Sequence, residues 1–126
     1  MNSATLDKLA GLLGGQLARD IAAPVLSLAV NGAIPIDADA FILLTKAGVA
    51  AMSIAAPGAA NIGRILKIYG ATADQNVLTF TGGTLRSGAA GVTTVTGAAA
   101  IGSGITVQAV TATTWQLIGN TLAVVT

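Results

Sequence analysis

The first groups in this chain that could do chemistry are two aspartates one residue apart, in IDADAF at residues 36 to 41. On an extended strand Asp37 and Asp39 point to the same face. Paired carboxylates can begin a Ca2+ site or an acid pair of the glycosidase type. Ca2+ asks for about six or more oxygens, and the Ile, Ala and Phe residues around the pair bring no ligand side chain. The simpler reading is a charged guard on an edge strand or in a strand-entry turn. A second candidate is GGTLRSGAAG, residues 82 to 91, which has the glycine content of a phosphate loop. It lacks the Gly-Lys-Ser/Thr ending and opens no helix. It reads as a flexible surface loop with Arg86 at its tip, placed to pair with a carboxylate on a neighbouring chain.

The chain has no histidine and no cysteine. The commonest general base and the commonest metal ligand are therefore missing together. Ser-His-Asp and Cys-His arrangements are excluded, and stability cannot come from disulfides or a thiolate metal site. A Ser-Lys pair is possible by composition, but no local motif supports it. Arg64 and Lys67 fall on opposite faces of one predicted strand, and with Lys46 and Arg86 they make no basic stripe for nucleic acid. These residues predict a non-enzymatic protein with no cofactor, no metal, no nucleic-acid partner and no small-molecule substrate.

The elements that would position any site are unusual in composition. Of 126 residues, 53% are hydrophobic, 9% charged and 3% aromatic, with a net charge of +1. An average globular protein is about a quarter charged. So few charges leave a monomer poorly protected in water. Either a membrane or other protein chains must cover much of its surface. A membrane helix needs about 20 consecutive apolar residues. The best stretch, AGVAAMSIAAPGAANIG (47 to 63), is mostly Ala and Gly and contains Pro57. The N-terminus also lacks a basic region followed by a continuous apolar run. Association with protein is the expected answer, with no membrane.

Residues 1 to 33 are expected to form an N-terminal helix or arm, and residues 34 to 126 a β domain. Leu6, Leu9, Leu13 and Leu17 recur at spacings of three and four, which lines up one face of a short amphipathic helix. Ser3 or Thr5 can cap it, and Gly14 and Gly15 weaken it. Such a helix needs a surface to hold it, either its own domain or a partner. From Ala23 onward, strands are predicted over 25–30, 40–46, 49–55, 64–70, 76–82, 91–97, 104–110, 114–119 and 121–126, separated by Gly, Pro and Asn turn formers. The fold class is therefore mainly β: a β-sandwich or barrel-like knob with a short N-terminal amphipathic helix or arm. No fixed repeat of 20 to 50 residues appears. Gly119-Asn120 reads as a two-residue hairpin turn folding TTWQLI onto TLAVVT. Trp115, Leu117 and Gly119 would then share a face, with the lone tryptophan plugging a core otherwise poor in large side chains. An open face on Trp115 would instead make it a stacking platform for a sugar or base. The expected core comprises Leu66, Ile68, Leu78, Phe80, Trp115 and Leu117.

From residue 34 the order of features becomes specific: IPIDADAFILLTKAGVAAMSIAAPGAANIGRILKIYGATADQNVLTFTG, then GSGITVQAV, then TTWQLIGNTLAVV. With Pro57-Gly58, Gly63-Arg64 and the near-terminal Trp115, this resembles the β-structured domain of tailed-bacteriophage virion proteins, particularly head decoration (cement or head-fibre) proteins. Some tail-fibre segments are similar too. The resemblance covers about residues 34 to 126. It implies a homotrimeric β knob on a capsid or tail, without catalysis. On that basis the expected function is a capsid decoration protein on the virion exterior. It would bind the major capsid protein through Leu6, Leu9, Leu13, Leu17 and Arg86. The alternative is a tail-fibre or tail-associated receptor-binding or connector segment, which open grooves around Trp115 or Tyr69 would favour. A depolymerase and a membrane-associated oligomer are the remaining alternatives.

Overall fold

The computed structural model describes residues 24–88 and 91–126. Leu6, Leu9, Leu13 and Leu17, and the helix expected there, lie outside the described residues. Among the described residues eleven strands follow one another: β1 (Val25–Leu28), β2 (Gly32–Ala33), β3 (Ala40–Leu44), β4 (Ala51–Ala55), β5 (Ile65–Gly70), β6 (Val77–Thr81), β7 (Thr84–Arg86), β8 (Thr94–Thr96), β9 (Gly104–Ala109), β10 (Thr114–Thr121) and β11 (Val124–Val125). A 3-10 turn at Ala59–Asn61 precedes β5. The protein is mainly β, with two mixed sheets facing each other as in a sandwich. β1 and β2 both precede residue 34, so the β body reaches back at least to Val25.

The chain does not fold as a series of hairpins. One sheet has the order β1-β3-β5-β9-β10-β7 and the other β11-β8-β6-β4-β2, so from β1 to β9 each successive strand changes sheet. β1, β3 and β5 are parallel, and so are β2, β4 and β6. Parallel neighbours need a connection that returns to the starting end, and here the return leg is a strand of the opposite sheet. Partners along the parallel pairs are Val25 with Phe41, Ala40 with Leu66, Gly32 with Met52 and Ala51 with Val77. Two of these steps are equal in length and two are shorter, so the winding keeps no single period along the chain.

Alternation in the strands builds the core. Ile42, Leu44, Leu66, Ile68, Ile105 and Val107 point inward from the first sheet, and Met52, Ile54, Leu78, Phe80 and Val95 meet them from the second. Each such side chain, fully buried, contributes about 1.5–3 kcal/mol of transfer free energy. Of the six expected core residues, Leu66, Ile68, Leu78, Phe80 and Trp115 are buried, while Leu117 packs at the margin. Trp115 is 0% exposed, and its Nε1–H donates to the carbonyl of Ala55 at 2.9 Å. The indole thus fills the gap between the sheets and ties β10 to the end of β4. With its faces covered, it is no stacking platform.

Three local expectations need correction. Gly119-Asn120 is not a hairpin turn. β10 runs through it to Thr121, paired with β9, and a bulge at Ile118 shifts the register between Leu117 and Gly119. The extra residue moves Gly119 to the outer face, away from Trp115. TLAVVT does not fold onto TTWQLI; β11 crosses to the other sheet and pairs with β8. GGTLRSGAAG is not all loop: Thr84–Arg86 pairs parallel to β10, with Leu85 fully buried. Finally, Asp37 and Asp39 precede β3 and do not lie on a strand. Asp39 stands in the strand-entry turn, where its Oδ1 accepts the Ile65 N–H at 3.0 Å.

Candidate interaction surface

The alternation between sheets sorts the connections to two ends. Residues 29–31, 45–50, 71–76, 97–103 and 122–123 all join strands at one end, because β1, β3, β5, β8 and β10 stop there. Residues 34–39, 56–64 and 110–113 lie at the other. The first end is apolar at its surface. Of the ten large hydrophobic side chains exposed among the described residues, five belong to it: Val30 (70%), Val49, Ile101 (74%), Leu122 (66%) and Val124. An end that exposes several aliphatic side chains is a candidate interaction surface.

The charges at this end are held by their own loops. Lys46 Nζ donates to the carbonyl of Val49 at 3.0 Å and to that of Ala47 at 3.4 Å. Asp74 Oδ2 accepts the Thr72 hydroxyl at 2.7 Å. Opposite, Arg64 gives its Nη2–H to Asn61 Oδ1 at 3.0 Å, with Asp39 Oδ1 at 3.7 Å from Nη1. Asp37 is also there, exposed. Arg86 is exposed at the end of edge strand β7 rather than at a loop tip, and its carbonyl accepts Gln116 Nε2–H at 3.2 Å. Asp37 and Asp39, the carboxylate pair of IDADAF, therefore do not converge with any third carboxylate among the described residues. No cluster of three or more Asp or Glu side chains occurs among the described residues.

On the outer face of the first sheet, next to the apolar end, lies an open groove of about 520 Å3. Phe41, Leu43, Tyr69 and Ile101 line it, with Gly70, Ala71 and Gly102 completing the wall. The rings of Phe41 and Tyr69 are 5.5 Å apart between centroids and 18° from coplanar. Tyr69 lies across β9 because Gly104 makes room. A Cβ on Gly104 would come within 2.8 Å of Tyr69 Cδ1 and clash with the Ile68 carbonyl. At Gly119 it would press on Thr106 at 3.3 Å. The Tyr69 hydroxyl is fixed by Thr106 Oγ1 at 2.8 Å. This explains Gly119 by space, not by turn geometry. Of the chain's four aromatics, two fill the core and two are spent on this outer slab.

At the same end, two strands from Tyr69, is Leu122, a non-glycine residue with φ of 57°. Asn120 brackets its turn, accepting the Ala123 N–H at 2.9 Å and donating to the Ala123 carbonyl at 3.0 Å. Sequence reasoning singled out Tyr69 but missed Phe41, Ile101 and Leu122. The available signals were aliphatic residues inside turn-forming runs, AAAIGSG and GNTLA, where water-facing loops ordinarily carry polar ones.

Among the described residues, no helix is long and apolar enough to cross a membrane. Comparison with protein-family models, curated proteins and solved structures finds no match to this chain.

Proposed function

We propose that this chain is a structural virion protein that works by association: a homotrimeric decoration module on the outer surface of a phage head. The observation that carries the reading is the apolar end, with Val30, Val49, Ile101, Leu122 and Val124 turned to water beside a groove lined by no charged side chain. A surface of that kind is suited to burial against protein, since the cores of obligate interfaces are apolar and poor in charge. The phage resemblance of residues 34 to 126 supplies the particle. A module that binds the assembled shell and not its dispersed subunits stabilises the shell by its differential affinity. Three copies on one knob strengthen that binding through effective concentration. The leucine face of the N-terminal segment and Arg86 remain the proposed capsid contacts.

The test has two steps. Mass measurement in solution should give three times the 12.3 kDa of the chain, and the oligomer should co-sediment with emptied capsids from the same source. A chain that stays monomeric and ignores capsids would refute the proposal. One observation favours the second reading, a tail-associated receptor-binding segment: the groove lies beside Tyr69. Binding to cell-surface glycan without binding to heads would establish that reading instead.

A further inference from the structure

We propose that the groove beside Tyr69 receives Leu122 of a second copy of this chain, so that copies join through the apolar end. The inference rests on the homo-oligomer reading above and adds the contacting surface. Leu122 has the only positive φ of a non-glycine residue among the described residues. That backbone region is sterically disfavoured for any side chain larger than hydrogen, and a leucine there is an outlier. Glycine would make the same turn with less strain. What leucine adds is its side chain, and the Asn120 bracket holds it out in one place with 66% of the residue exposed. An outlier of this sort, fixed by its surroundings, points to a role for the strained residue.

The chemistry of the groove selects its occupant. The one polar side-chain group lining it, the Tyr69 hydroxyl, is already engaged with Thr106. A sugar carries several hydroxyls that need partners, and a charged peptide needs an opposite charge. Neither finds one on these side chains. An anionic lipid surface would call for several free cations; among the described residues Lys67, exposed opposite Phe41, is the one beside the groove, while Lys46 is bound to two carbonyls of its own loop. A neutral aliphatic knob fits the lining, and this chain presents one at the same end of the same sheet. Tyr69, Gly104 and Thr121 are in register across β5, β9 and β10, so Leu122 emerges two strands from the groove. Its exposure shows that it does not fill the groove of its own chain. A surface that carries knob and hole side by side can pass the contact from copy to copy around a closed ring.

The absence of cysteine makes the contact directly testable. Chains carrying L122C and chains carrying I101C, prepared separately, are mixed, allowed to assemble and treated with a short bismaleimide. The expected product is a linked pair containing one chain of each kind. I62C and V110C, exposed at the opposite end, should give none. In parallel, L122G relaxes the turn and removes the knob. It should keep the fold and weaken self-association by roughly 30-fold or more, the scale of an interface hot spot, whereas I62S should leave it unchanged. A wild-type oligomer that yields no mixed cross-link, with L122G equally associated, overturns this inference and leaves the homo-oligomer reading standing. A wild-type monomer at every concentration overturns both. If a monosaccharide shifts the NMR signals of Tyr69 while L122G leaves the mass unchanged, the groove belongs to a glycan and the inference falls.

Discussion

The two ends of this sandwich solve the same problem with different materials. At the end holding Asp37, Asp39 and Arg64, the loops carry charge, and the interior beneath is closed by one large plug, Trp115, bonded to Ala55. At the other end the interior is closed by small groups. Asn76, buried, accepts the Ala50 N–H at 2.8 Å through its Oδ1, while Ser103 Oγ accepts the Ala98 N–H at 2.8 Å. The loops above it expose valine, isoleucine and leucine. A charged rim is stable in water whether or not anything binds it. An apolar rim gains free energy only when covered, at about 25 cal/mol per Å2 of apolar surface removed from water. The contrast therefore assigns stability chiefly to one end and association to the other.

The strongest way to break that assignment is Trp115→Ala. It should cost about 3–5 kcal/mol, the range for deleting a buried aromatic, read by chemical denaturation in urea. A loss under about 1 kcal/mol would mean that the plug is not what holds this end. Trp115→Phe separates packing from hydrogen bonding, and the missing Nε1–H should account for about 1 kcal/mol of the loss. At the apolar end the expected effect is smaller. Asn76→Ala strands the buried Ala50 N–H and should cost about 1–3 kcal/mol. Leu122→Gly should go the other way under dissociating conditions, raising monomer stability by up to about 1 kcal/mol because the left-handed conformation no longer carries a Cβ. A residue whose replacement stabilises the lone chain while weakening the assembly would sharpen the division between the ends more than any other result.

How much of this was legible beforehand depends on how local the signal is. Period-two burial in RILKIYG placed Leu66 and Ile68 inward and Ile65, Lys67 and Tyr69 outward, as the structure has them. That pattern needs only the pleat of one strand. Turn chemistry was less dependable. Gly119-Asn120 has the composition of a hairpin turn, but its glycine lies close against Thr106 and its asparagine brackets the turn around Leu122. The first demand comes from Thr106 on β9, outside any window around residue 119, and the second from Ala123, three residues on, which composition alone does not distinguish from a hairpin turn. Edge strand β7 was hidden for a similar reason: Leu85 is buried by β10, about thirty positions later in register, where local propensity has no reach. The two-ended arrangement was least visible of all, because the end to which each loop goes is fixed by the sheet-to-sheet winding.

The smallest expected effect tests whether the charged end is held together by charge at all. Asp39 does two things: it accepts the Ile65 N–H at 3.0 Å and it stands 3.7 Å from Arg64 Nη1. The carboxylate side chain is 57% exposed and that of Arg64 28%, so water and salt screen the pair, and such pairs are worth about 0–1 kcal/mol. Arg64 also has Asn61 to hold it without Asp39. Asp39→Asn keeps an oxygen acceptor for Ile65 and removes the charge; it should change stability by less than about 0.5 kcal/mol, and the difference should vanish at about 1 M salt, where the screening length falls to about 3 Å. Asp39→Ala removes both functions and should cost about 1 kcal/mol more, a loss that salt does not erase because it comes from the uncapped N–H at the start of β5. If instead the two variants lose the same amount and salt abolishes both losses, the end is an electrostatic assembly, and the charges there carry the stability assigned here to Trp115 and the backbone.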